Sequence, residues 1–138
     1  MQEVVFGSEQ SGLLVLRDPR RGDDGEIWSV TAAIETAGLN AETRVATHYA
    51  THFDELIAFI ADLADSWRGW RGSKTYSSLE RDLRLDAVHD GAHVRLRVTL
   101  TGSNQPPQWT VTTELTSDPG AQMETAASDA RSLLAARV

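Results

Sequence analysis

Apolar residues recur along this chain at two periods. Between Phe53 and Trp67 they fall three and four apart, at Phe53, Leu56, Ile57, Ile60, Leu63, Ala64 and Trp67. That spacing predicts an amphipathic helix over 51–67. Thr51 with Asp54 reads as its capping box, Asp54 and Glu55 suit its first turn, and Gly69 and Gly72 stop it. Met123, Ala126, Ala127, Ala130, Leu133 and Leu134 mark a second helical stripe. Ser117 or Asp118 is its expected cap, with Pro119 in the first turn.

Elsewhere the period is two. Val4–Phe6 and Leu13–Leu16 read as short strands, with turn residues from Gly7 to Gly12. Arg17 to Gly25, mixed in sign and holding Pro19, reads as a solvated loop. Ile27–Ile34 and Glu42–His48 read as a strand pair around Gly38-Leu39-Asn40, against a competing Ala-rich helix. Leu83, Leu85 and Ala87 share one face of a strand, and Val94, Leu96, Val98 and Leu100 one face of the next. Asp90-Gly91 between them suggests a two-residue turn. That register sets Ala87 opposite Val94, Leu85 opposite Leu96, and Asp86 opposite Arg95. After a loop over 101–108 containing Pro106-Pro107, Trp109, Val111, Thr113 and Leu115 alternate with polar residues as a third meander strand.

The expected fold is α+β: one antiparallel sheet of about six or seven strands, with two amphipathic helices on one face. The order is β-strands, helix, three-strand meander, helix, in a single domain over 1–138. Whether the first two strands join the main sheet stays open.

Composition narrows the setting. A chain of 138 residues is one ordinary domain. It contains no cysteine, which excludes a disulfide framework and thiolate zinc sites and fits a reducing cytoplasm. No run approaches the ~20 apolar residues of a membrane span. Met1-Gln2-Glu3 does not open a signal peptide. The net charge of −7 disfavours nucleic acid and permits a basic protein partner. Lys74 is the only lysine among many arginines, as in the products of GC-rich genomes.

Trp67-Arg68-Gly69-Trp70-Arg71-Gly72 follows the first helix, and Ser78-Leu79-Glu80, Leu83–Ala87, His93-Val94 and Trp109 come after it. From Phe53 to Leu134 this resembles a family of small actinobacterial proteins known only as a domain of unknown function. The resemblance implies a stand-alone domain and no particular activity. Domains of similar size and layout also occur among immunity proteins of bacterial toxin systems.

Candidate chemistry is sparse. His48 and His52, and His89 and His93, have the i, i+4 spacing that shares a metal on a helix. Here His48 falls in a strand and His52 at a helix start, and the hairpin register sends His89 and His93 to opposite faces, so no metal and no cofactor is expected. The carboxylates of Asp62 and Asp65 lie on the polar side of the helix, and no nucleophile elbow or phosphate loop occurs, so no catalytic residue is assigned. Arg21-Gly22-Asp23 spells an integrin-type tripeptide and reads as chance. Trp70 sits between two glycines with no periodic reason to be buried, which makes it a candidate anchor for a partner. Asp62 and Asp65 are candidate acidic contacts. Arg95 and Arg97 are further candidate partner contacts, on a mixed polar sheet face with Arg84, Asp86, Thr99, Thr110, Thr112 and Glu114.

The leading expectation is a non-enzymatic protein-binding module of the immunity-protein kind. The alternative is a small-ligand or enzymatic domain with a pocket at the Trp67–Trp70 turn, reaching His93. A homodimer through the sheet face is the third.

Overall fold

The computed structural model describes residues 2–102 and 108–135, so Met1 and Pro106-Pro107 lie outside the described residues. The strands are β1 (Val4–Ser8), β2 (Gly12–Arg21), β3 (Ile27–Thr36) and β4 (Leu39–Ala46), then β5 (Ser73–Ser77), β6 (Leu83–His89), β7 (Val94–Thr101) and β8 (Thr110–Ser117). Helix α1 (Asp54–Asp65) follows β4, and α2 (Ala121–Leu134) follows β8. The strands form two four-stranded antiparallel meanders, β1-β2-β3-β4 and β5-β6-β7-β8. The single sheet expected from the sequence is therefore two, and β1 and β2 belong to the first. The order of four strands and a helix occurs twice, a repetition that the residues themselves do not display.

Both sheets and both helices enclose one core. The helices pack on each other, α2 also lies on β1 and β2 of the opposite sheet, and α1 touches the edge strand β5. Every residue of the predicted α2 stripe is buried, as are Phe53, Leu56, Ile60, Leu63 and Ala64 along α1. Trp67 leaves the stripe: α1 ends at Asp65, and the indole is about half exposed with the Arg68 guanidinium over it.

The sheets are tied where the β1–β2 turn meets β8 and α2. Gly7 N–H donates to Ser117 Oγ (2.7 Å), Thr116 N–H to Ser11 Oγ (3.0 Å), and Gln122 Nε2 to the Gly7 carbonyl (2.6 Å). Ser117 is thus spent on the junction and not on a helix cap, and the N-cap position of α2 is Gly120. Thr51 likewise does not cap α1, whose N-cap position is Phe53 with no side-chain bond.

Three local expectations are corrected. First, β5 makes the second meander four strands. Its sequence Ser-Lys-Thr-Tyr-Ser is polar, and only the half-buried Lys74 and Tyr76 alternate inward, so the edge strand carries no apolar run. Second, Arg17–Arg21 is strand and not loop. It continues β2 through an irregularity at Asp18 (φ 53°) and pairs with β3. Arg21 then donates to the Leu133 and Ala135 carbonyls (2.9 and 3.1 Å) at the end of α2. Third, the β6–β7 turn is longer than two residues. Ala87 faces Leu96, Leu85 faces Val98 and Asp86 faces Arg97, two positions from the expected register. Asp90 explains the shift, because its Oδ1 accepts from the amides of Ala92 and His93 (3.0 and 2.8 Å) and closes a wider turn. A shift of two keeps every side chain on its face, so the apolar side stays apolar.

Candidate functional site

Residues 22–28 and 47–52 meet beyond the end of the β3–β4 pair. The loop before β3 is tight: Gly22 N–H donates to the Glu26 carbonyl (2.8 Å), and Glu26 N–H to Asp24 Oδ1 (3.0 Å). At the start of β3, Arg20 faces Ser29 and Arg21 faces Ile27, so Trp28 is the extra residue of a bulge. Strict alternation would place Trp28 on the core face with Val30, Ala32 and Ile34. The bulge exchanges the two sides: Ile27 is buried and Trp28 is 65% exposed. Gly22 leaves room for this indole, since a Cβ there would lie 2.7 Å from Trp28 Nε1.

Opposite Trp28 the chain leaves β4 in a compact turn. Thr47 N–H donates to the Trp28 carbonyl (3.0 Å), and the backbones of His48 and His52 bridge each other. His48 Nδ1 accepts from the amides of Ala50 and Thr51 (3.0 and 3.2 Å), so in the neutral ring the proton sits on Nε2. The His48 ring stacks on Tyr49 at 4.7 Å, and Tyr49 is 85% exposed. His52 holds a left-handed backbone (φ 56°), a conformation costly for a residue with a Cβ.

Between these segments lies a cavity of about 290 Å3 lined by Glu26, Ile27, Trp28, Thr47, Tyr49 and His52. Thr47 Oγ1, Thr51 Oγ1 and His52 Nδ1 are buried with no hydrogen-bond partner, and all three belong to this one turn. Asp23, Asp24 and Glu26 before Trp28, and Asp54 and Glu55 after His52, are exposed. None of these five joins an ion pair among the described residues.

The residues singled out in the sequence lie elsewhere, on two different surfaces. Trp70 is half-buried against the core: its Nε1–H donates to the Ala87 carbonyl (3.2 Å), and its ring meets His89 edge-on at 5.3 Å. It contacts His89, not His93, whose Nε2 lies 3.7 Å from Asp118. Lys74 sits over the Trp70 ring and pairs with Asp62 (2.6 Å), so the only lysine neutralises that carboxylate. Asp65 is exposed. Arg95 and Arg97 are on the outer face of the second sheet, paired with Asp90 (3.1 Å) and Glu114 (3.8 Å). Register places Lys74 in the row of Ala87 and Leu96, and Arg97 in the row of Asp86, so the two groups occupy opposite sides of that sheet.

On the outer face Asp86 accepts from Arg84 Nε (3.0 Å) and Thr75 Oγ1 (2.8 Å). The Arg84 hydrogen bonds, helped by Thr75, hold its carboxyl below the usual aspartate range, against the opposing effect of burial. A depressed pKa stabilises the fold above the unfolded value of about 4 and ceases to do so as pH falls through the folded value. The urea midpoint of the wild type should therefore fall more steeply than that of Asp86→Asn as pH drops below about 4. Parallel curves would show that Asp86 contributes nothing.

Bulge, turn and cavity define the molecule as a two-sheet α+β domain with an aromatic-rimmed pocket at one end. The profile of a family of unknown function (DUF6228) matches residues 6–137, and the chain belongs to that family. The match takes in the first sheet as well as the stretch from Phe53 on which the resemblance rested. No curated protein and no solved structure matches the chain. Among the described residues no helix is long and apolar enough to cross a membrane.

Proposed function

We propose that this domain is a non-enzymatic protein-binding module that takes a basic partner at the Trp28–Tyr49 edge. One observation carries the reading: the two most exposed aromatic side chains line the same cavity, in a setting of unpaired carboxylates. Trp and Tyr are the residues that most often anchor protein interfaces. The net charge of −7 would steer a basic partner toward the surface and speed its encounter. A cytoplasmic setting belongs to the same proposal, since a chain without cysteine needs no oxidising compartment. The proposal keeps the immunity-like reading and moves its contact surface away from Trp70 and Asp62, which are already engaged within the domain.

Affinity capture from the source lysate, quantified by mass spectrometry, tests the placement. Trp28→Ala/Tyr49→Ala should weaken retention of the partner by about a hundredfold, as expected for two hot-spot aromatics. Asp62→Ala/Asp65→Ala should retain it as the wild type does. Thermal unfolding of each variant separates lost binding from lost folding. Undiminished capture by a folded Trp28→Ala/Tyr49→Ala variant overturns the proposal.

A further inference from the structure

The cavity that Trp28 and Tyr49 rim is small and includes one acidic residue in its lining. At about 290 Å3 it lies at the lower limit of pockets for drug-sized molecules and suits one long side chain. Its walls are aromatic, and one lining residue, Glu26, carries a carboxylate. No lysine or arginine lines it. Thr47 and His52 complete its polar lining.

We infer that this cavity is the receptor for an arginine side chain of the partner. The inference rests on the docking reading above and adds the chemistry of the group that enters. Two demands are made of that group. The aromatic walls favour a flat or cationic group. Glu26 favours a cation that donates hydrogen bonds.

An apolar side chain meets only the first demand. A quaternary or trimethylated ammonium meets the charge requirement but has no N–H to give. Lysine is cationic and donates, but its compact, strongly hydrated ammonium lays no plane on a ring and offers a carboxylate no two-pronged fork. Guanidinium meets both, with a flat face for an aromatic ring and five N–H groups in a fixed fork.

The test uses the full chain and three short peptides that differ at one residue: arginine, citrulline or trimethyllysine. Binding is followed by calorimetry and by the indole N–H signals in NMR spectra, with the Trp28 signal identified from Trp28→Phe. The arginine peptide should shift the Trp28 signal and bind at least about tenfold tighter than either of the others. Glu26→Gln should remove most of that preference and leave citrulline binding unchanged. Equal binding of arginine and citrulline peptides overturns the inference, as does tightest binding of trimethyllysine or an unmoved Trp28 signal.

Competition separates the two proposals. Partner capture that depends on Trp28 and Tyr49 but is not displaced by the arginine peptide sinks the arginine assignment alone. Partner capture indifferent to Trp28→Ala/Tyr49→Ala sinks the docking surface, whatever the peptide does.

Discussion

Gly7→Ala should destabilise the domain by roughly 4 kcal/mol, the sum of a strained backbone and an overpacked contact. Gly7 has φ 103°, where a side chain is strained whatever the space, and a Cβ there would run into the Gly12 carbonyl oxygen. Backbone cannot swing aside as a flexible side chain could. The site is also where the halves are joined: its amide is bound to Ser117 and its carbonyl to Gln122, so relief of the clash breaks one tie or the other. Gly38→Ala is the control. Gly38 has φ 82° but open space around it, so that variant should lose only about 1 kcal/mol. Urea unfolding of both decides the matter. Equal midpoints would mean that the β1–β2 turn is not a rigid junction.

Phe53→Ala should cost about 3–5 kcal/mol, the usual range for truncating a buried phenylalanine. Phe53 is 1% exposed, occupies the N-cap position of α1 and directly follows His52. It therefore couples core to site: its ring holds the start of α1 in the core, and that start anchors the turn carrying Tyr49 and His52. Amide exchange should show the His48–His52 bridge opening more readily in Phe53→Ala than in wild type. Trp28→Ala, which removes an exposed ring, should cost less than about 1 kcal/mol and leave that exchange unchanged. A loss for Phe53→Ala as small as that for Trp28→Ala would remove Phe53 from the core.

The candidate site was poorly legible for an identifiable reason. Trp28 stands in even register with Val30, Ala32 and Ile34, and alternation alone sends it inward. One unpaired residue at Arg20/Arg21 reverses this, and no residue near Trp28 announces a bulge. Tyr49 lies among alanine, threonine and histidine, a stretch without period. Trp70 drew attention for the opposite reason. It is flanked by Gly69 and Gly72 like an exposed loop residue, yet the turn folds its indole back onto Ala87 and His89. The one signal that could have pointed to the site was the loop Asp23-Asp24-Gly25-Glu26 running straight into a tryptophan, acid beside aromatic.

Periodicity by itself determined both helical stripes, the inward faces of β6, β7 and β8, the polar outer face with Arg95 and Arg97, and the α+β class. These depend on neighbours within a turn or two of chain and on the gain from burying apolar atoms, so the order of residues suffices. Tertiary structure alone decided the division into two sheets, the placement of α2 over the opposite sheet, the width of the Asp90 turn and the outward face of Trp28. Each depends on partners that sequence order does not bring together, as with the Gly7 amide and the Ser117 hydroxyl 110 positions apart. Pairings of that kind are chosen by which buried polar groups can be satisfied at once, and that is settled only when the whole chain has packed.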